Sequence, residues 1–407
     1  MTEVRAGCCI VGGGPAGMMA ALLFARAGVD TVLLEKHADF LRDFRGDTIH
    51  PSTLQVMEEL GVLEAFLRRP HQEVTTLAGN LGDTLVTVAD FRHLPTSCKF
   101  LAFMPQWDFL DFLAEQARQY ASFDLRMQAR ADELLWDGSR VAGVRAQTPA
   151  GVLEVRAELT IAADGRESVL RDLAGLEVVE LGAPMDVLWL RLTKHAEDPH
   201  QTFGYIRDGR IMALIDRGAY WQCAYVIPKG TIAQLHERGL SEFRAHISAI
   251  VPFLADRVDE LQSWDDIKLL TVRVNRLRQW YRPGLLCTGD AAHAMSPIGG
   301  VGINLAIQDA VAAANMLAPK LLRGDLTVRD LEAVQRRREP AARRTQALQL
   351  FIQRNFIGRA LTHGRPRFLH RLPALLRFLP FLPRIPGYLV GLGFRPEHLY
   401  EKTMPVS

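Results

Sequence analysis

The feature that most restricts the fold of this 407-residue chain is a group of closely spaced glycines near its start. Gly12, Gly14 and Gly17 follow the apolar segment VRAGCCIV and precede MMAALLFARAG, whose composition is helical. A second apolar segment, DTVLLEK, comes next and carries Glu35 near its end. This order predicts a strand, a tight turn, a helix and a second parallel strand, which together form a βαβ unit.

The same glycine spacing predicts a nucleotide site. Gly12 permits the tight turn, Gly14 lets a pyrophosphate approach the backbone, and Gly17 lets the helix pack close to the strand. The start of the helix offers unpaired N–H groups and a partial positive charge to phosphates. Glu35 lies 18 residues after Gly17, where a carboxylate accepts hydrogen bonds from ribose hydroxyls and disfavours a 2′-phosphate. The motif therefore predicts FAD or NAD, and not NADP, without separating the first two.

The composition is that of an ordinary globular protein. Hydrophobic residues make up 48% and charged residues 23% of the chain, which excludes collagen-like and disordered classes. The net charge of +2 gives no indication of nucleic-acid binding. The five cysteines include no CxxC pair, so we expect neither a disulfide framework nor a metal site, and we expect a reducing, cytoplasmic location.

Two later segments each combine an apolar strand, a turn with an acidic residue, and a helix. Asp164 and Gly165 follow the first strand, and Asp164 is placed where a helix N-cap is expected, with Ser168 on the first turn. The second segment, GDAAHAMSPIGGVGIN, starts at Gly289 and leads into an apolar helix predicted over residues 303–322. Its acid, Asp290, can bind a sugar-alcohol hydroxyl, and the helix start can stabilise negative charge.

These three segments, in this order, resemble the FAD-dependent aromatic monooxygenases typified by para-hydroxybenzoate hydroxylase, and the related ubiquinone-biosynthesis hydroxylases. The resemblance spans about residues 5–315. It implies an α/β (α+β) fold, in which a Rossmann-like FAD-binding βαβ domain carries an inserted, mostly antiparallel substrate sheet and a C-terminal helical segment. The implied units are residues 1–75, 100–176 and 270–335 for the FAD-binding domain, 76–99 and 177–269 for the substrate sheet, and 336–407 for the C-terminal basic region.

The resemblance also implies roles for individual residues. The pyrophosphate and ribose of FAD would be bound by Gly12, Gly14, Pro15, Ala16, Gly17, Glu35 and Lys36. Further cofactor contacts would come from Arg45, Gln106, Asp164, Asp290, Gly300, Gly302, Ile303 and Asn304. Pro297, Gly302 and Asn304 would position the edge of the isoalloxazine, with no side chain acting as a nucleophile. His293 is expected to be structural and not a catalytic base.

The activity implied is hydroxylation of an aromatic, quinone-like or polycyclic small molecule. NAD(P)H, as NADH or NADPH, would reduce FAD, and dioxygen would then give a flavin hydroperoxide that transfers a hydroxyl group. The chain has no second GxGxxG motif, so NAD(P)H is expected to bind transiently at a surface groove.

The predicted sheet over the flavin supplies the candidate substrate residues. Segments 187–192 and 220–229 alternate in polarity as strands do. We expect some of the following side chains to face the ligand, with ordinary sheet packing as the alternative for each: Trp189, Arg191, Tyr205, Met212, Trp221 and Tyr225.

The C-terminal part of the chain is strongly basic. Residues 336–402 contain 14 Lys or Arg against three acidic residues. This segment reads either as a packed tail, as a helical lid or as a peripheral contact with an anionic membrane surface. The oligomeric state is left open between monomer and homodimer.

Other activities of the same fold give alternative interpretations. Halogenases carry a WxWxIP element, whereas Ile227-Pro228 here follow Cys223-Ala224-Tyr225-Val226, so both tryptophans are missing. A flavin-dependent reductase or an epoxidase would keep the same motifs. A non-catalytic FAD-binding protein would bind FAD without turnover.

Overall fold

The computed structural model describes residues 1–41, 48–81, 84–199, 203–363, 379 and 381–400. Its strands are, in chain order, β1 (Thr2–Val11), β2 (Thr31–Leu34), β3 (Thr48–Ile49), β4 (Gln72–Val74), β5 (Thr76–Leu81), β6 (Thr84–Asp90), β7 (Leu101–Phe103), β8 (Phe123–Arg126), β9 (Arg130–Asp137), β10 (Arg140–Thr148), β11 (Gly151–Ala162), β12 (Val178–Glu180), β13 (Met185–Thr193), β14 (Phe203–Arg207), β15 (Arg210–Asp216), β16 (Tyr220–Pro228), β17 (Lys268–Leu270), β18 (Asn275–Leu277), β19 (Tyr281–Arg282) and β20 (Leu285–Cys287). Its α-helices are α1 (Pro15–Arg26), α2 (Pro51–Glu59), α3 (Leu63–Leu67), α4 (Gln106–Ala117), α5 (Val169–Leu173), α6 (Ile232–Arg238), α7 (Leu240–Ile250), α8 (Gly302–Arg323), α9 (Val328–Ile352), α10 (Gly358–His363) and α11 (Arg384–Gly391).

The first sheet has the order β19-β20-β11-β1-β2-β8, with β10 and β9 extending from β11. β1 pairs in parallel with both β11 and β2, and β11 pairs in parallel with β20. The last four residues of β1 are buried, as expected for a strand covered on both faces by helices. Because these strands are parallel, the residues that follow β1, β11 and β20 all emerge at one edge of the sheet.

Helix α1 begins directly after the glycine turn. Pro15 is its first residue, where a missing N–H costs nothing, and nearly all of the helix from Ala16 to Ala25 is buried. Its apolar side chains share one core with those of α8 and the first sheet. The predicted βαβ unit and α/β fold are confirmed.

The second sheet has the order β17-β13-β16-β15-β14-β5-β6 and is antiparallel except where β14 pairs with β5. Leu188, Leu190 and Trp221 lie on one face and pack against Phe243 and Ile247 of α7. Val187 and Ala224 lie on the opposite face, in a cluster that includes Leu350 of α9. The second sheet therefore has helices α6 and α7 behind it and the remainder of the molecule in front. The division into three units given above stays a prediction.

The C-terminal segment, which we define as residues 381–400, packs on the second sheet. The N–H of Asp90 in β6 donates to Pro383 O at 2.9 Å, and a Cβ on Gly387 would lie 2.1 Å from Asp90 O, so α11 packs directly on β6.

By length and composition, one helical stretch of the described chain, Ile298–Arg323, could cross a membrane. Within this protein 89% of its apolar window is buried, so it forms part of the core.

Candidate active site

The three sequence motifs meet at the carboxyl edge of the first sheet. Gly12 has φ +105°, and a Cβ at this position would lie 2.4 Å from Ala163 O, beside Asp164. A Cβ on Gly289 would lie 3.0 Å from Cβ of Ala16. Residues that are far apart in the sequence are thus in contact through glycines, and only a residue without a side chain permits this approach.

The glycine turn leaves a space at the start of α1. A Cβ on Gly17 would lie 1.9 Å from Gly12 O, so Gly17 is needed for packing of helix on strand. A Cβ on Gly14, in contrast, would meet no atom of the described residues within 4 Å. No side chain in the described part of the chain caps α1, so its first N–H groups face this open space. The cradle fits the pyrophosphate of a dinucleotide.

Glu35 is buried at the end of β2, with 7% exposure. Its carboxylate accepts hydrogen bonds from the N–H of Gly13 at 2.8 Å and of His37 at 3.0 Å. These bonds place Glu35 beside the glycine turn, and its contact with a ribose stays a prediction. Lys36 is exposed next to it, and Gln106 is half-buried at the first position of α4. Arg45 lies outside the described residues.

The two acidic residues of the later motifs have different surroundings. Asp290 is a third exposed, and its Oδ2 lies 3.0 Å from Nε of Arg166, which is equally accessible. Asp164 accepts hydrogen bonds from the hydroxyl of Ser168 and, at 3.2 Å, from the N–H of Leu170. Burial raises the pKa of Asp164. The predicted N-cap is one turn off, because Ser168 and not Asp164 is the residue whose side chain caps α5. A role of Asp164 toward pyrophosphate or NAD(P)H stays a prediction.

Helix α8 starts at the end of the glycine loop, which we define as residues 294–302. Asn304 is buried, and its Oδ1 accepts hydrogen bonds from Ser52 at 2.6 Å and Thr53 at 2.9 Å, both on α2. Ile303 is buried beside it, whereas Pro297, Gly300 and Gly302 are half-buried along the loop. Among the described residues no side chain caps α8, so its start is available to negative charge.

His50 connects the glycine loop to the C-terminal segment. Its Nε2 lies 3.1 Å from Gly300 O and its Nδ1 lies 2.7 Å from Val390 O. The ring is fully buried, and this burial lowers the pKa of His50 despite the two carbonyl partners, which raise it. Sequence reasoning gave His50 no role, because its partners are 250 and 340 residues away.

Three glutamines of α9 and the turn after it hold the other side of the glycine loop. Gln349 accepts from Ser296 N at 3.2 Å and donates to Ser296 O at 3.0 Å and Ile298 O at 2.9 Å. Gln346 donates to Ala294 O at 3.1 Å, and Gln353 donates to the Ser296 hydroxyl at 2.6 Å. The sequence gives one indication of this arrangement, because Gln346, Gln349 and Gln353 are spaced by three and four residues, as side chains on one face of a helix are.

A chain of buried charged groups lies behind the loop. Nε2 of His293 is 2.6 Å from Asp309, whose other oxygen accepts from Nε of Arg338 at 3.0 Å. Arg338 also lies 3.2 Å from Glu397 in the C-terminal segment. Burial raises the pKa of Asp309, but His293 and Arg338 outweigh it, and the net pKa is lowered. The pairing with Asp309 gives His293 a structural position.

The candidate substrate residues divide between the two faces of the second sheet. Met212, Trp221 and Tyr225 are buried in the core against α7, and Tyr205 packs on the same core. Trp221 also donates from Nε1 to Asp198 at 2.9 Å. These four side chains pack behind the sheet, which is the alternative given for each of them, and the expectation that some of the six face a ligand now rests on Trp189 and Arg191. Trp189 and Arg191 lie on the opposite face, where Arg191 stacks 4.8 Å above the ring of Tyr220.

Comparison with known proteins gives the same family as the motifs. The model of the FAD binding domain family matches residues 5–348. The 6-methylpretetramide 4-monooxygenase of Streptomyces rimosus is 38% identical over 377 residues, which cover 90% of this chain and 89% of that protein. A probable FAD-dependent monooxygenase from Pseudomonas aeruginosa has a TM-score of 0.74 at 20% identity, covering 92% of this chain and 100% of that one. The anhydrotetracycline hydroxylase from Streptomyces rimosus has a TM-score of 0.74 at 23% identity, covering 98% of this chain and 78% of that one.

The prediction of FAD as cofactor and the prediction of a monooxygenase are confirmed by these matches. The structural neighbours are at most 23% identical, so their similarity shows the fold alone. The family match and the 38% identical relative support the activity. The chain belongs to the FAD binding domain family and is an FAD-dependent aromatic monooxygenase.

Proposed function

We propose that this chain uses NAD(P)H and dioxygen to hydroxylate a polycyclic aromatic compound. The observation that carries the proposal is the meeting of Gly12, Ala163 and Gly289 at one edge of a parallel sheet, beside an open cradle. Support for a polycyclic substrate comes from the 6-methylpretetramide 4-monooxygenase, whose sequence is 38% identical to this chain over 90% of its length.

We assign the binding of FAD to the three motifs. The open face of Gly14 and the uncapped start of α1 receive the pyrophosphate, and Asp290 exchanges Arg166 for a hydroxyl of the ribityl chain. Glu35 holds the glycine turn by accepting a hydrogen bond from the N–H of Gly13, and its carboxylate places negative charge where the ribose of FAD would lie. When bound, FAD would accept electrons from NAD(P)H and would activate dioxygen.

The glycine loop and the start of α8 position the reacting edge of the ring system. The first N–H groups of α8 near Gly302, which no described side chain caps, would favour negative charge on the ring system of bound FAD. Pro297 and Asn304 set the course of the loop, with Asn304 anchored by Ser52 and Thr53. Preorganised dipoles of this kind act without reorganisation during the reaction.

The substrate is assigned to the front of the second sheet. Trp189 and Arg191 lie on the face turned away from α6 and α7, toward α9 and the C-terminal segment. Trp189 offers a flat apolar surface to an aromatic ring, and Arg191 offers a positive charge to a phenolate. Met212, Trp221 and Tyr225 hold the sheet in place from behind.

We place the enzyme in the cytoplasm because its five cysteines, all buried, are free thiols. A contact of the basic C-terminal region with an anionic membrane stays a prediction, as does the choice between monomer and homodimer. Sedimentation with and without anionic vesicles measures both.

The direct test of the function is a screen of aromatic compounds with purified holoenzyme. We expect polycyclic phenols to accelerate NAD(P)H consumption, and mass analysis to show product with one added oxygen atom. NAD(P)H consumption that no aromatic compound accelerates, or product without added oxygen, would contradict the proposal.

A further inference from the structure

A small cavity lies directly beside the glycine loop. It has a volume of about 60 Å³ and is enclosed by α8, α9 and residues 389–394. Ile298, Gly299 and Val301 of the glycine loop line it, and the walls are mainly apolar, including Leu305, Leu348 and Phe394. Its size matches a substituent of a few heavy atoms and not a ring system.

Two polar side chains interrupt the apolar wall of this cavity. Nη2 of Arg338 and Nε2 of Gln308 are buried and find no hydrogen-bond acceptor within the described part of the chain. Arg338 is 1% exposed and Gln308 is 2% exposed. A buried donor without an acceptor is expensive and uncommon in folded proteins, so each of the two donors calls for an acceptor from a ligand or from solvent.

The other polar atoms of both side chains are already engaged, which fixes their orientation. Arg338 donates from Nε to Asp309 at 3.0 Å and from Nη1 to Arg395 O at 3.1 Å. Gln308 accepts through Oε1 from the N–H of Glu397. The C-terminal segment thus holds the two donors in place, and neither is free to turn toward a partner elsewhere.

The charge balance around the cavity decides what kind of acceptor fits. The guanidinium of Arg338 is already neutralised by Asp309 and Glu397, and Glu397 has a second partner in Arg337 at 2.9 Å. An anionic ligand would bring an uncompensated charge into an apolar space, at a high desolvation cost. A neutral oxygen that accepts two hydrogen bonds, on a small apolar group, satisfies both donors. A ketone carbonyl has these properties, whereas an amide would add donors that the apolar wall leaves unpaired.

We propose that this cavity is a carbonyl-binding subsite for the aromatic substrate. Arg338 Nη2 and Gln308 Nε2 donate to the carbonyl oxygen of a short ketone substituent and thereby select which ring edge faces the glycine loop. The inference rests on the proposed function, because the substituent belongs to the molecule that is hydroxylated. It assigns specificity to two residues that have no part in binding FAD.

The test compares two probes that differ in a single carbonyl oxygen. Holoenzyme is titrated with 6-acetyl-2-naphthol and with 6-ethyl-2-naphthol, and binding is followed by the change in flavin absorbance. We expect the acetyl compound to bind about tenfold more tightly to the unaltered enzyme, since one satisfied pair of buried donors accounts for such a ratio.

Variants of Gln308 assign the preference to this cavity. Gln308→Leu and Gln308→Met both remove the Nε2 donor and leave Nη2 of Arg338 as the single donor of the subsite. Both variants are expected to lose most of the preference for the acetyl compound. Gln335→Leu is the matched control, because it removes a buried α9 glutamine whose amide contacts Trp280 N and Arg278 O, outside the cavity, and it should retain the preference.

Equal binding of both naphthols by the unaltered enzyme would overturn the subsite, and the cavity would then hold solvent only. An undiminished preference in both Gln308 variants would also overturn it. In either case acceleration of NAD(P)H consumption by both naphthols would leave the proposed function standing. A lack of binding and of acceleration by either compound would count against the subsite and the proposed function together.

Discussion

Nε of Arg166 lies 3.0 Å from Oδ2 of Asp290, although the two residues are 124 positions apart in the sequence. The contact joins the residues that follow β11 to those that follow β20. Both side chains are about a third exposed, and an ion pair with this exposure contributes little to stability. Asp290 can therefore give up Arg166 for a ligand hydroxyl at small cost, which suits an acid that binds a cofactor reversibly.

Replacing this acid is expected to weaken cofactor binding without unfolding the chain. Asp290→Asn keeps the size of the side chain but loses the charge-assisted hydrogen bond, so the Kd for FAD should rise about tenfold or more. Fluorescence titration of the apoprotein with FAD measures the effect. Asp325→Asn, at an exposed residue paired with Arg323, is the control and should leave the Kd unchanged. An unaltered Kd in Asp290→Asn would remove this residue from the site.

The contacts of Gln349 are expected to matter for coupling of reduction to hydroxylation. Gln349→Leu removes three hydrogen bonds to the glycine loop, and we expect the free energy of unfolding to fall by about 2 kcal/mol. A loosened loop should also divert reducing equivalents, so that less product forms per NAD(P)H consumed. Gln335→Leu removes a buried glutamine of the same helix that has no contact with the loop. The same ratio of product to NAD(P)H in both variants would show that Gln349 has a structural role only.

Because His50 is buried, we expect the folded protein to lose stability in mild acid. Burial lowers its pKa in the folded protein, while the unfolded chain binds a proton at about pH 6.5. Its contribution to stability is therefore fully present above about pH 6.5 and is lost as the pH falls toward the lowered pKa of the folded state. Thermal unfolding at about pH 7.5 and about pH 5.5 should show a larger fall in Tm for the natural chain than for His50→Gln. Equal falls in Tm would mean that His50 does not titrate in this range.

The rate of NAD(P)H oxidation should depend on an aromatic ligand. The sequence provides one GxGxxG motif, at Gly12, so NAD(P)H has no second nucleotide fold to occupy permanently. We expect slow oxidation by holoenzyme alone and an acceleration of about tenfold or more on addition of a hydroxylatable phenol. Rapid oxidation that is independent of any ligand would identify an oxidase instead.

The parts of the fold that the sequence predicts well are those encoded by local patterns. The βαβ unit follows from three glycines between apolar segments, and helix α8 was expected at residues 303–322 and is found at Gly302–Arg323. The contact between Gly12 and Ala163 follows from β1 and β11 being parallel neighbours in one sheet. Local spacing is sufficient for the βαβ unit and for α8, because turn geometry and helix periodicity depend on neighbouring residues, whereas the contact between Gly12 and Ala163 needs the pairing of two distant strands.

The parts that could not be predicted depend on tertiary packing. Alternation in β13 and β16 separates Trp189 from Leu188 and Trp221, but only the position of α7 decides which face is the interior. Alternation alone therefore left both ligand contact and sheet packing open for Trp221. His50 contacts carbonyl groups of two distant segments, and neither contact leaves a pattern near residue 50.

We infer that the cradle beside Gly14 holds FAD, and the FAD content of Gly14→Val decides whether it does. The added side chain would enter space that is open for at least 4 Å around the expected Cβ, so the fold should be kept and the cofactor excluded. Gly17→Ala is the contrasting variant, because its Cβ would lie 1.9 Å from Gly12 O and should disrupt the turn itself. The absorbance of gel-filtered protein, with its Tm, gives the result. We predict stoichiometric FAD in the natural protein and none in a folded Gly14→Val, whereas stoichiometric FAD in that variant would contradict the account.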